Sequence, residues 1–550
     1  MKYLIQYIVL SVYILMMIGV AVYTRKKSKT LNDFFLAGRG LGGVMSAFAY
    51  GTTYFSSVVF VGYAGKFGWN MGLAVLFIGL GNAVIGSYLA WKVLAKKTRN
   101  MTHSLGAKTM PEFFEKRYQS KYLKLFTAII IFVFLIPYSA SVYQGLAYLF
   151  ESVFNIPFIW CVIIMASLTA LYLFFGGYFA TALSDFIQGI IMLVGVVIMI
   201  IMTLNNSSVN WGEGLKRLTD EFSLGIIPSA EGGWNSPLFN IIILTLLTSF
   251  GMWGIPQSVH KFYAIKDNGA IKRATWVSSI FCLIIGCGAY FVGSLSRLYL
   301  TEVPQGNYDM IVPLMLEQAL PAAVLGLIVV LILSASMSTL SSLSLSASSS
   351  VSVDIYKGYV KKDAADKKVN WIMRIFCLIF IVVSVLLAIF KIDAIVTLMS
   401  LSWGTLAGCF IGPYVYGLYS KKVTKAAAYS SLISGLALTF ILIFVFGWIS
   451  PANGILTFGN VVKGGVARAP FIGVITMAVS VIIVPIVSSF TKKPDKEFID
   501  SLFSSANCAN DLRLAEVNDE NLADNKDNAE KISDTQSSID EKILSENISE

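Results

Sequence analysis

Stretches of about 20 mostly apolar residues recur from one end of this chain to the other, and nothing else restricts its fold so strongly. A helix needs about that length to cross the hydrocarbon core of a bilayer. Thirteen such stretches can be marked, at residues 3–23, 41–65, 72–94, 122–150, 156–175, 180–204, 237–259, 275–299, 319–355, 370–390, 394–419, 426–448 and 469–490. With 56% hydrophobic and 13% charged residues among 550, a water-soluble domain could not hide the apolar surface, because surface grows too quickly relative to volume. The expected fold class is an all-α membrane protein with about 13 transmembrane helices.

Charge gives the orientation. The net charge of +10 does not imply nucleic acid, because the bases sit in short clusters between apolar runs. With the N-terminus outside and the spans alternating, the cytoplasmic connections before residue 500 hold 30 Lys/Arg and the outer segments 8. Such a bias is the positive-inside pattern. It places the chain as a multi-pass protein of the plasma (inner) membrane with a cytoplasmic C-terminus. The first run precedes its basic cluster, Arg25-Lys26-Lys27-Ser28-Lys29, with no small-residue cleavage pattern between them. It therefore reads as a retained helix rather than a signal peptide. Residues 501–550 carry twelve Asp/Glu and four Lys/Arg and no aromatic residue after Phe503. That composition cannot offset the entropy of ordering, so 496–550 is expected to be a disordered acidic tail. The six cysteines show no CxxC spacing, and the two histidines, His103 and His260, stand apart. Neither a disulfide framework nor a zinc site is indicated.

Two spans contain helix breakers at comparable positions, Ala49-Tyr50-Gly51-Thr52-Thr53-Tyr54-Phe55-Ser56-Ser57 and Phe250-Gly251-Met252-Trp253-Gly254-Ile255-Pro256-Gln257-Ser258. Unwound backbone at membrane depth is tolerated only where protein or an aqueous cavity covers it. A matched pair of interrupted helices points to a transporter built from inverted repeats. The ninth span is dense in hydroxyls from Ser334 to Ser350, and Ala335, Ser338, Thr339 and Ser342 share one face by their spacing. Hydroxyls facing carbonyls freed by a break make an all-oxygen cage, which suits a hard cation such as sodium. Asp185 lies inside the sixth span with no base in that span. At the membrane centre it costs about 2.5–3.5 kcal/mol and needs a partner. A bound cation is the first choice, and a helix cap at the interface is the alternative.

At these residues the sequence resembles the sodium:solute symporter family, which includes bacterial proline and pantothenate importers and sodium/glucose cotransporters. Asp33-Phe34-Phe35-Leu36-Ala37-Gly38-Arg39, Gly176-Gly177-Tyr178-Phe179-Ala180, Met337-Ser338-Thr339-Leu340-Ser341 and Asp354-Ile355-Tyr356-Lys357 carry the match. The resemblance implies a LeuT-like core of two inverted five-helix repeats. The domain plan is then a first helix and loop (1–40), a first repeat (41–204), an outer loop (205–236), a second repeat (237–420), two peripheral helices (421–495) and the tail. It also implies sodium as coupling ion. Thr52, Phe55 and Ala335 would offer carbonyls to it, and Ser338 and Thr339 hydroxyls. Some members have a second sodium site nearer the cytoplasm, which Asp185, Ser338, Ser341 and Ser342 match. Proline importers carry an aspartate where this chain has Tyr54, and sialic acid importers an arginine in a region that here reads Pro137 to Gln144 without a base.

The solute pocket is expected beside both breaks. Its candidate linings are Tyr54, Ser57, Asn82, Tyr138, Gln144, Trp253, Gln257 and Trp403. No Lys or Arg is expected at the midplane of the core spans, which disfavours dicarboxylates and phosphates and leaves a zwitterion, a sugar or a monocarboxylate. The reading favours a carboxylate-bearing solute such as an amino acid or a pantothenate-like acid. Its partners are that solute, sodium and the bilayer, with no nucleic acid. Alternatives are a sodium/sugar symporter, a proton-coupled importer using Asp185, or a transporter-like sensor. No catalytic set is evident, so an enzyme is not expected.

Overall fold

The structure, a computed structural model, describes residues 4–24, 39–175, 178–207, 209–210, 212–391 and 393–508. Among these no strand forms, and an isolated bridge pairs Leu41 with Ile265. The chain as far as Pro494 packs as one compact unit. In the second unit the described part is a helix, Lys496–Cys508. The remainder of the expected tail, and the expected motif at 33–38 with the glycine pair 176–177, lie outside the described residues.

Helix α1 spans Leu4–Thr24. Helices α2 (Gly43–Tyr54) and α3 (Val58–Tyr63, continuing through Ala64–Met71) are two halves of one interrupted crossing. Helix α4 occupies residues 76–104 and α5 the short Met110–Tyr118. Then come α6 (Lys121–Phe154), α7 (Phe158–Phe175) and α8 (Tyr178–Leu204). A connection holding α9 (Gly212–Asp220) leads to the second interrupted crossing, α10 (Pro237–Gly254) and α11 (Pro256–Ala264). Helices α12 (Asn268–Ser294), α13 (Ile311–Ala319), α14 (Ala322–Ser349, extended by Ser350–Val360), α15 (Asp366–Ile389) and α16 (Ile395–Tyr419) follow. Helices α17 (Lys425–Ile449), α18 (Phe458–Val466) and α19 (Ala469–Phe490) close the unit. Among the described residues ten helices are long and apolar enough to cross a membrane, joined by two shorter apolar helices, Leu4–Val20 and Phe158–Leu171. Each of the thirteen expected spans contains one of these helices or an interrupted pair.

Burial separates core from rim. The most apolar stretch of α16 is 94% buried and that of α14 is 83%, against 28% for α17 and 33% for α15. Serine and threonine on α14 therefore face protein, while the exposed Val382, Phe440 and Ile441 of the rim are left to lipid.

The two interruptions have different local causes. In α2 the hydroxyls of Thr52 and Thr53 bond back to the carbonyls of Phe48 and Ala49 at 2.8 and 2.7 Å. Such back-bonding bends a helix and competes with its ladder. The chain leaves the helix at Phe55, whose φ of −109° and ψ of 129° are extended. In the second crossing, Pro256 forbids a helical Ile255, which sits at φ −86° and ψ 132°. The same proline then starts α11 as its first residue, where its missing N–H costs nothing. Gly251 and Gly254 let α10 lie against α16: a Cβ would stand 3.0 Å from the Trp403 ring and 2.9 Å from Ala407 Cα.

One end of the bundle is fastened by buried bases. Arg99 donates to the carbonyls of Ile265 and Lys266 at 3.1 and 2.5 Å, tying α4 to the end of α11. Helix α4 thus runs on to Ser104, past its expected end at residue 94. Asp354 accepts from Thr109 at 2.7 Å and lies 3.9 Å from Lys124, holding α14 to α5 and α6.

Candidate functional site

The first break and the hydroxyl-rich helix converge on one another. The Thr339 hydroxyl oxygen on α14 lies 3.4 Å from the carbonyl oxygens of both Thr52 and Thr53, and 3.1 Å from that of Ala335. Helix termination at Tyr54 explains why the first two are available, since the last carbonyls of a helix lose their partners. A hydroxyl has one proton and can satisfy one of these three oxygens. Ser338 donates to Asp185 Oδ1 at 2.7 Å and stands 2.8 Å from Thr52 Oγ1. Thr52, Ala335, Ser338 and Thr339 are all buried. The result is a cluster rich in oxygen acceptors and poor in protons, the donor set of a hard monovalent cation. No group of three His, Cys, Asp or Glu that could hold a metal ion occurs among the described residues. Phe55, the fifth expected ligand, is fully buried in the break itself. The break is also fastened to α14 directly: the Ser57 N–H donates to Ser336 Oγ at 2.9 Å.

The neighbouring pocket is built around Asp185. Asp185 lies well inside α8, past the first turn that a capping residue would serve, and is fully buried. Its partner is a base after all. Lys261 Nζ stands 3.3 Å from Asp185 Oδ2 and 3.1 Å from Ser342 Oγ, and both charged side chains are sealed from solvent. Lys261, just past the expected end of its span at residue 259, is thus a buried base of the bundle rather than a loop residue. Helix α11 runs through it to Ala264 and carries it back into the bundle. Proline at the start of a second helical half, rather than at the end of the first, was the available signal. Ser342 also meets Thr53 Oγ1 at 3.1 Å, whereas Ser341 turns to its own helix and donates to Ser338 O at 2.8 Å.

A model of the sodium:solute symporter family matches residues 34–435. The chain belongs to the sodium:solute symporter family. It is 28% identical over 492 residues to the osmoregulated proline transporter OpuE of Bacillus subtilis (strain 168), covering 88% of this chain and 95% of that one. It is 29% identical over 500 residues to the sodium/proline symporter of Staphylococcus aureus (strain JH9), covering 89% and 93%. Among solved structures, the substrate-bound outward-open state of a Na+-coupled sialic acid symporter superposes with a TM-score of 0.71 at 20% identity, over 90% of this chain and all of that one. At that identity the likeness concerns the fold, the LeuT-like core with its paired interrupted helices.

Of the solute-lining candidates in this symporter, three meet. The Tyr54 and Tyr138 rings approach Trp403 at 6.0 and 5.6 Å between centroids. The Tyr138 hydroxyl and Trp403 Nε1 are buried without a hydrogen-bond partner, as are both polar atoms of Gln257 in the first turn of α11. Asn82 joins this region through Thr248, whose hydroxyl donates to Asn82 Oδ1 at 2.7 Å and whose carbonyl accepts from Tyr54 at 2.8 Å. Three candidates are committed elsewhere. Ser57 donates to Val142 O at 2.8 Å, Trp253 to Ile85 O at 3.1 Å, and Gln144 to Ala388 O at 3.4 Å.

Proposed function

We propose that this symporter imports a small carboxylate-bearing solute, an amino acid or a comparable monocarboxylate, together with sodium. The carrying observation is the acceptor-rich cluster in which one hydroxyl, Thr339, faces carbonyls of Thr52, Thr53 and Ala335. Sodium bound there, with Phe55 O and Ser338 as further ligands, ties the broken helix to α14. Rocking of one against the other takes the ligand set apart, so ion and solute move together. Sodium entering down about 100 mV supplies roughly 2.3 kcal/mol. A tenfold gradient adds about 1.4, enough in total for a roughly 500-fold accumulation of a neutral solute.

The solute lies between Tyr138, Trp403 and Gln257, whose unpaired donors suit a carboxylate. Lys261, the buried base beside the ion cluster, is neutralised by Asp185, so a dianion finds no spare charge there. The two proline-transporting relatives support an amino acid; Tyr54 in place of an acidic side chain argues for a solute other than proline itself. The chain acts as a transporter and not as an enzyme. Its Lys/Arg-rich end faces the cytoplasm, as does the C-terminus, and the N-terminus lies outside. The repeats run over 41–204 and 237–420.

Uptake into proteoliposomes tests the reading, after a thermal-shift screen of amino acids, sugars and monocarboxylates with and without sodium has named the solute. Accumulation should vanish when choline replaces sodium, and Ser338→Ala should raise the sodium concentration for half-maximal uptake. Equal accumulation in choline would end the proposal.

A further inference from the structure

Lys261 is held as a bound cation is held. Its ammonium lies 3.3 Å from Asp185 Oδ2 and 3.1 Å from Ser342 Oγ. Two further contacts link the oxygens of the pocket: Ser342 to Thr53 Oγ1 at 3.1 Å, and Asp185 Oδ1 to the Ser338 hydroxyl at 2.7 Å. An ammonium offers three donors and no acceptor on a flexible stem. It therefore satisfies an oxygen pocket much as a metal ion does, with the difference that it cannot leave. Asp185 and Ser342 are two of the three residues, with Ser341, that distinguish a second sodium site from the main one in this chain. The third, Ser341, bonds to its own helix backbone. One carboxylate faces one ammonium, and both side chains are almost wholly buried. A sodium ion added there would place two cations against one negative charge, away from solvent.

Resting on the sodium-coupled reading above, we propose that Lys261 fills the second cation position of this symporter and limits binding to one sodium ion per chain. The main cluster around Thr339 keeps its ion because it lacks a resident charge. The pocket at Asp185 is neutralised in every state in which the pair persists, so sodium release removes one tie between α2 and α14 while α11 keeps its own. Lys261 is thus a residue that sets stoichiometry through Asp185 and does not itself touch the solute.

Equilibrium binding of radioactive sodium to the purified full-length chain tests this, with sodium alone as the probe. The wild type should bind one ion and Lys261→Met two. Methionine keeps an unbranched stem of similar length and removes the charge. The melting temperature of Lys261→Met should also climb more steeply with sodium, because the ion then stabilises the folded chain at two sites. Two ions in the wild type, or one in Lys261→Met with unchanged steepness, overturns the proposal. Should Lys261→Met fail to fold, Ser342→Ala decides. Its hydroxyl serves the amine, so the count should stay at one and sodium affinity within about threefold, and a tenfold loss would overturn the assignment. Absence of bound sodium from every variant overturns the sodium-coupled reading itself, and this inference with it.

Discussion

Both interrupted helices dock on the same hydroxyl-rich helix, but by different chemistry. The first break meets α14 through neutral oxygens: Thr52 and Thr53 carbonyls at 3.4 Å from the Thr339 hydroxyl. The second crossing meets it through a charge, Lys261 against Ser342 and Asp185. Neutral acceptors gathered around one hydroxyl attract each other weakly until a cation joins them. A buried ion pair is complete without any visitor. The contrast separates a tie that a cation would strengthen, between α2 and α14, from one whose charges are already matched, at α11.

The largest effect should come from the charged tie. Removing one member of a buried pair leaves an uncompensated charge and costs about 3–5 kcal/mol. Asp185→Asn should accordingly lower the yield of folded protein and its melting temperature, measured by fluorescence-detected gel filtration before and after heating. Asp185→Asn combined with Lys261→Met should recover most of the loss. Wild-type stability in the single variant would erase the distinction between the two ties.

The neutral tie should fail differently. Thr339→Val keeps the shape of the side chain and deletes the oxygen that faces three carbonyls. It should raise half-saturating sodium at least about tenfold, or roughly 1.4 kcal/mol, with stability changed far less than in Asp185→Asn. Sodium dependence of initial uptake measures this, and an unaltered dependence would remove Thr339 from the ion site. Gln257→Leu sharpens the comparison from the other break. Its two unpaired polar atoms are assigned to solute, so KM for solute should rise about tenfold while half-saturating sodium moves less than about twofold. An equal shift in both would mean that the two breaks form one site.

The positions of the crossings were legible because a bilayer imposes a length on every helix, and the breaks because proline, glycine and hydroxyl clusters act locally. Ser338 and Thr339 were legible for the same reason: their face follows from helical period alone. Lys261 was not. Whether a lysine two residues beyond an apolar run faces water or a carboxylate depends on where α11 turns after Pro256, and that is settled by packing against α8 and α14. The partners of Ser57 Oγ and Gln144 Nε2 were hidden for a related reason. Sequence shows that a polar side chain is buried, but a backbone carbonyl from another helix, Val142 or Ala388, takes its hydrogen bond.

A third tie, at the opposite end of the bundle from Arg99, sharpens the contrast by a smaller amount. Asp309, buried in the segment between α12 and α13, accepts from the Ile395 N–H at 3.2 Å and so caps the start of α16. No cation forms a salt bridge with it among the described residues, and burial pushes its carboxyl up to about 6 despite that hydrogen bond and the more distant Lys66. Between its ordinary value of 3.8 and about 6, the folded chain therefore holds a proton that the unfolded chain has released. This contribution to stability is complete below the lower value and is lost as pH rises through the upper one. Melting temperatures at pH 5 and pH 7 should thus differ more for the wild type than for Asp309→Asn, by something of order 1 °C in a chain this long. An equal pH response in Asp309→Asn and wild type would mean that the Asp309 carboxyl titrates alike folded and unfolded, and that burial without a counter-charge does not set this helix end apart.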